Sequence, residues 1–311
     1  VPALNWYTPE KVIDFGYPTP VQTGMYIKRF VSADFSTGNM TIDAVVWFVF
    51  DPADISLEEI REFDFANGNI TYPGEPEKMG QEETTTFIGD GNILAQYDIR
   101  ADFILPFQFD LFPIEDHTAA FVLVNNSISQ NQVLFFSGRE HFVVDHNIED
   151  LGWDRIDVDV KTGYQKHRLK QDQKFHKSYA PGVIFSIDYQ RIGLRHLVSI
   201  FLPLMIIFFI TMFAFSFDPQ GENGSQSYSL AAGGITGMIG YYFVIQNMSP
   251  PVSYFMASDH FYFMFLTLSF IIFLLTFFRG DASVNTKRAI VILLHLTVIT
   301  VAAYLCIWWL R

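Results

Sequence analysis

Between residues 25 and 194 short apolar runs alternate with polar breaks; from residue 195 onward the apolar runs become long. The first regime holds Met40–Phe50, Ile93–Tyr97, Ala119–Val124, Val133–Phe136 and Val183–Tyr189, rich in β-branched and aromatic residues. Turn-forming residues punctuate it at Gly38-Asn39, Asn67-Gly68, Tyr72-Pro73-Gly74 and Gly89-Asp90-Gly91-Asn92. Short strands at this spacing predict an immunoglobulin-like β-sandwich over 25–194. Ser56–Phe63 is the one helix-period candidate before Arg195. Residues 1–24 hold four prolines and little periodicity, and read as a leader or linker. The chain opens at Val1 without a Met, as expected of a chain that has lost a preceding segment.

The second regime has four runs, Leu197–Phe217, Ser225–Met248, Phe261–Phe278 and Ala289–Leu310. Each is near the roughly 20 residues that cross a bilayer as a helix. They predict a transmembrane domain over 195–311 with helices at 195–217, 225–248, 256–278 and 288–310. The fold class is thus a β + α membrane protein, an extracellular sandwich followed by a four-helix transmembrane bundle. The third linker carries Arg279, Lys287 and Arg288, whereas Ser249–Asp259 has no Lys or Arg. The positive-inside bias therefore makes the third linker cytoplasmic, with the N-terminal domain and the C-terminus on the opposite side.

The second long run is built differently from the others. It reads SQSYSLAAGGITGMIGYYFVIQNM, uncharged but rich in Gly, Ser and Ala. Small polar residues gain nothing from lipid tails, so such a span faces other helices or water. At 3.6 residues per turn Ser229, Gly233, Thr236, Gly240 and Phe243 form one stripe, with Ile235, Ile239 and Tyr242 expected opposite. Read as a lumen, the stripe is small and polar with Phe243 as a bulky ring, a constriction of the dewetting kind. The competing reading makes Gly233, Gly237 and Gly240 close-packing sites between helices.

Charge sharpens the picture. Residues 1–194 carry 29 acidic and 15 basic side chains, against 4 and 5 in residues 195–311. Nucleic acid is excluded as a partner for so acidic a surface, and cations are favoured. The single cysteine, Cys306, lies in the last apolar run and reads as a buried hydrophobe. No nucleophile elbow, HExxH, P-loop or paired metal-ligand histidines occur, so no enzyme is expected. Acidic clusters stand at Glu58/Glu59/Glu62/Asp64, at Glu75/Glu77/Glu82/Glu83 and at Asp145/Glu149/Asp150/Asp154/Asp157/Asp159. From these Glu62, Asp64, Asp145, Glu149 and Asp154 are candidate ligands for a modulatory calcium ion, since hard cations want several oxygens. His260 and His295 are ionisable groups in or beside spans, and functional candidates by default.

The domain order resembles that of the pentameric ligand-gated ion channels, specifically prokaryotic members lacking the disulfide of the Cys-loop receptors. Leu105-Pro106-Phe107-Gln108-Phe109-Asp110-Leu111-Phe112-Pro113-Ile114-Glu115 is similar to the family's Pro-loop, with Ile114 and Glu115 where an aromatic and an Asp are usual. Gly152-Trp153-Asp154 resembles a Gly-Trp turn late in the extracellular domain. Arg191, twelve residues before Pro203, resembles the arginine preceding the first transmembrane helix, and Asn247–Pro251 the loop between the second and third spans.

The resemblance implies a homopentamer in a bacterial inner membrane, gated by an unknown small-molecule agonist bound between subunits. It implies coupling through Arg191 with Glu115, or Asp34 as second candidate, and through Pro250. The implied ligand loops are Phe63–Asn69, Asn125–Gln132 and Lys161–Tyr179, with Phe63, Asn126, Tyr164 and Phe175 as candidates. The middle loop, NNSISQNQ, has no aromatic for a quaternary amine. Glu222, near the expected cytoplasmic mouth, is the candidate for a negative ring, and with the acidic domain it favours cations. The rival from another class is a membrane-anchored solute-binding sensor without a conducting pore.

Overall fold

The computed structural model describes residues 16–71, 83–129, 131–145, 153–171, 174–191, 195–214, 217, 224–278 and 284–309. The chain divides into two compact units, one of Val1–Phe107 with Asp116–Arg191, the other of Gln108–Glu115 with Ile192–Arg311.

The first unit is β-rich and holds two sheets. Its strands are β1 (Thr19–Asp34), β2 (Asn39–Phe50), β3 (Phe63–Phe65), β4 (Gly68–Thr71), β5 (Glu83–Ile88), β6 (Asn92–Ile104), β7 (Asp116–Asn125), β8 (Val133–Phe136), β9 (Phe142–Val144), β10 (Trp153–Gln171) and β11 (Lys174–Arg191). One sheet runs β4-β6-β2-β1-β8, with β5 also on β6 and β9 on β1; the other runs β10-β11-β7-β3. Alternation sets the faces: along β2, Met40, Ile42, Ala44, Val46, Phe48 and Phe50 are buried while the residues between them are not. Aromatic pairs join the sheets across the core, with Phe103–Phe121 centroids 4.7 Å apart and Phe142–Phe185 5.2 Å.

Two boundaries differ from the sequence pattern. β1 starts at Thr19, inside the stretch read as a leader, and Thr19–Gln22 pair in parallel with β8. Pro18 and Pro20 conceal this strand end in the sequence, because proline argues against a strand unless it lies at an edge or a first residue. The helix candidate becomes α1 (Leu57–Arg61), opened by a capping box of Ser56 and Glu59. The β1–β2 turn needs Gly38: its φ is +75° and a Cβ there would collide with the Leu105 carbonyl.

The second unit holds α2 (Arg195–Phe213), α3 (Gly224–Met248), α4 (Ala257–Phe278) and α5 (Val284–Trp309). Among the described residues three helices, α2, α3 and α4, are long and apolar enough to cross a membrane, one fewer than the pattern predicts. The fourth, α5, has 26 residues and contains most of the apolar run Ala289–Leu310.

Aromatic edges and backbone-seeking hydroxyls hold these helices together. Phe208 of α2 lies 5.2 Å from Phe265 of α4, and Tyr242 of α3 stacks on Tyr262 of α4 at 4.6 Å. Phe209 of α2 approaches His295 of α5 at 6.5 Å. Pro203 lies inside α2 and has no N–H to give the Ser199 carbonyl one turn back. Tyr241 of α3 supplies that donor, its hydroxyl 2.6 Å from Ser199 O. In a membrane helix such a neighbour's hydroxyl is what makes an internal proline tolerable.

Candidate functional site

Helix α3 has two contrasting faces. Ser227, Ala231, Gly234, Met238 and Ile245 form its buried row. Directly opposite, Ser229, Gly233, Thr236, Gly240 and Phe243 all stand exposed on the protomer, Phe243 at 63 %. The five residues of the predicted stripe therefore share one face that the chain itself leaves uncovered.

The face expected opposite is different from the prediction. Ile235 and Tyr242 are only half-buried and Ile239 is 51 % exposed, so these three lie on a flank. Small and polar residues occupy the buried row because α2 comes close there. A Cβ on Gly234 would collide with Thr211 Oγ1, while Ser227 Oγ donates to the Ala214 carbonyl at 2.8 Å. The close-packing glycine within the chain is thus Gly234. An added Cβ on Gly233 or Gly240 meets nothing within 4 Å, and on Gly237 it makes ordinary contact with Ile207 at 3.5 Å.

The 108–115 loop is built onto the start of α4. Helix starts leave backbone N–H groups without intrahelical partners. Here Ala257 N donates to Asp110 O at 2.9 Å and Ser258 N to Phe112 O at 3.1 Å. In return Phe109 N donates to the Tyr254 hydroxyl at 2.9 Å. Phe109, Phe112 and Glu115 are buried, and Ile114 is 64 % exposed. Pro250, a coupling candidate on the α3–α4 connection, is buried, and its carbonyl accepts the Val252 N–H at 2.9 Å.

In the first unit Arg191 ends β11 directly opposite Trp153, the first residue of β10. Its guanidinium carbon lies 4.6 Å from the Trp153 ring centroid, within cation–π range. Trp153 stacks on Phe35 at 4.7 Å, and His117 lies between Phe107 (4.5 Å) and Trp153 (4.9 Å). His117 is buried, and burial, reinforced by the nearby Arg191 charge, pushes its imidazole down to about 4. Asp34 is committed to its own turn: Oδ1 accepts from Ser36 N and Oγ, and Oδ2 from Thr37 Oγ1 at 2.8 Å. These hydrogen bonds hold its carboxyl below the usual carboxylate range.

The ligand-loop candidates divide. Asn126 is exposed. Phe63 and Tyr164 instead belong to the core: Phe63 packs on Phe48 and Tyr97 at 5.3 and 5.1 Å. Tyr164 is fully buried with its hydroxyl raised to about 12 by burial. Strand alternation turns both inward, which a loop-based reading misses. The side chain of Phe175 lies outside the described residues, as do Glu222 and Glu149.

Of the remaining calcium candidates Glu62, Asp64 and Asp154 are exposed, while Asp145 accepts from the Tyr26 hydroxyl at 3.1 Å. Among the described residues no three acidic, His or Cys side chains gather as a metal group within the protomer. His260 is held by the Met256 carbonyl at 2.8 Å. Sequence reasoning missed Gly234, Tyr241, Tyr254, Asp259 and His117. Pro203 was the available signal for Tyr241, since a proline in a span needs an outside donor. No family model matches the chain, and no curated protein matches it.

Proposed function

We propose that the chain is one subunit of a homopentameric, cation-preferring, ligand-gated channel related to the prokaryotic pentameric ligand-gated family, in a bacterial inner membrane. The observation that carries this reading is the exposed stripe Ser229, Gly233, Thr236, Gly240 and Phe243 on an uncharged, membrane-length helix. Lipid gains little from small polar residues, and the buried row opposite already serves the chain's own packing. A fivefold axis gives the stripe water, with Phe243 side chains as a hydrophobic constriction that gates by dewetting.

In this scheme α5 completes a four-helix bundle in each subunit, and an agonist of unknown identity binds between the β-rich domains outside the membrane. Movement passes through Arg191, Glu115 and the Pro250 connection to α3. Glu222 and the acidic outer domain favour cations. Calcium bound at subunit boundaries shifts the gating equilibrium, with Glu62, Asp64, Asp145, Glu149 and Asp154 as its candidate ligands, because hard cations want several oxygens.

Current across a planar bilayer under a KCl gradient tests this, first with calcium chelated and then at millimolar calcium. The expected current reverses near the potassium potential, changes with calcium, and grows in Phe243→Ala. Pentamers that stay silent in the wild type and in Phe243→Ala would leave the poreless sensor as the better reading.

A further inference from the structure

The α3–α4 connection and the helix ends beside it border an open cavity of about 330 Å³. Such a volume lies at the lower end of small-molecule pockets. Three aromatic side chains line it, Tyr242 on α3 with Tyr254 and Phe255 on the connection. Asp259, in the first turn of α4, is the one charged residue in its wall. Asp259 is only 7 % exposed. Its Oδ2 accepts the Met256 N–H at 2.9 Å, and its Oδ1 has no hydrogen-bond partner among the described residues.

Asp259 thus lines the cavity with a carboxylate whose second oxygen is free to accept, and the group that answers such an oxygen best is a cation with N–H donors, because charge-assisted hydrogen bonds are the strong ones. Aromatic faces attract cations as well. We propose that this cavity binds a small organic ammonium, whose N–H donates to Asp259 Oδ1 and whose carbon skeleton lies among Tyr242, Tyr254 and Phe255. Other chemistries fit less well. An anion is repelled by the carboxylate. A hard divalent ion needs six to eight oxygens, and the wall supplies one carboxylate. A neutral hydrocarbon leaves Oδ1 unmet.

Pro250 and Pro251 fix two backbone φ angles in the wall, so little conformational freedom is lost on occupation. Tyr254 has a second contact, since its hydroxyl accepts the Phe109 N–H of the 108–115 loop. An occupant therefore touches the segment on which that loop is seated.

The test is ligand-observed fluorine NMR on the full chain in lipid nanodiscs, with 4-fluorobenzylammonium as probe and 4-fluorobenzyl alcohol as its neutral counterpart. The ammonium should bind saturably, and the alcohol roughly tenfold more weakly or worse. Asp259→Asn keeps an acceptor for Met256 N–H and should weaken the ammonium by a similar factor. Phe255→Leu keeps bulk without the ring and should weaken it several-fold, so the site remains testable if the first variant fails to fold. Equal binding of alcohol and ammonium, undiminished binding in either folded variant, or no saturable binding to the wild type would overturn the assignment. Binding is read without current, so this outcome is independent of the channel reading.

Discussion

The guanidinium of Arg191 rests on the face of Trp153, 4.6 Å from carbon to ring centroid, and the two residues are direct cross-strand partners. Trp153 is itself buried against Phe35. The charge is thus fixed by β-sheet register on a ring that cannot easily move. A partly desolvated cation–π contact is worth about 1–2 kcal/mol. Replacing Arg191 with Gln should lower the unfolding free energy of the full chain by that amount, while Trp153→Phe, which keeps a weaker ring, should cost part of it. A double-mutant cycle read by denaturant unfolding in detergent checks the pairing; additive losses would show that the two residues do not interact energetically.

His117 predicts a pH dependence of stability with a definite sign. Its folded imidazole resists protonation down to about 4, whereas an unfolded one takes a proton near its ordinary value of 6.5. Between those values the unfolded chain binds more protons, so stability falls as pH falls through 6.5 and levels off near 4. The limit of this contribution is about 3 kcal/mol. In His117→Phe, which preserves the stack with Phe107 and Trp153, that slope should vanish. Identical slopes of melting temperature between pH 7 and 4.5 in both proteins would remove His117 as the cause.

The glycines of α3 separate packing within the chain from packing between chains. Gly234→Ala drives a Cβ into Thr211 Oγ1 and should destabilise the α2–α3 pair by about 1–3 kcal/mol. Gly233→Ala and Gly240→Ala meet open space in the protomer and should gain up to about 1 kcal/mol in helix propensity. Native mass spectrometry of the proposed pentamer distinguishes the two uses of the exposed glycines. If they line water, the oligomer survives both substitutions; if they are contacts between subunits, it weakens.

Much of this was legible in the residues, and the failures have physical reasons. The strands of the first unit follow from period-two alternation, and the α3 stripe follows from a helical period applied to an uncharged run. The face opposite the stripe differs because, at about 100° per residue, Ile235, Ile239 and Tyr242 stand roughly a third of a turn from the stripe and not half a turn. Close approach to α2 instead selects Ser227, Ala231 and Gly234, while Ile239 stays exposed. Phe63 and Tyr164 were candidates only through the ligand loops that the family resemblance implies, and the inward phase of their strands shows only once register is known. Asp259 carries no pattern at all: its importance comes from a connection folding back over the start of α4.

Pro203 and Tyr241 form a compensating pair that one cycle can resolve. Proline withholds the N–H that the Ser199 carbonyl would otherwise receive, and the Tyr241 hydroxyl replaces it at 2.6 Å. Tyr241→Phe leaves that carbonyl unmet in an apolar setting, at a cost of about 1–3 kcal/mol. Pro203→Ala restores the helical donor, so in that background the same Tyr241→Phe change should cost much less. The coupling should appear as a positive rescue in unfolding measurements on the single and double variants. If Tyr241→Phe costs the same with Ala at position 203, the hydroxyl serves some contact other than the one the proline vacates, and α2 tolerates its proline by another route.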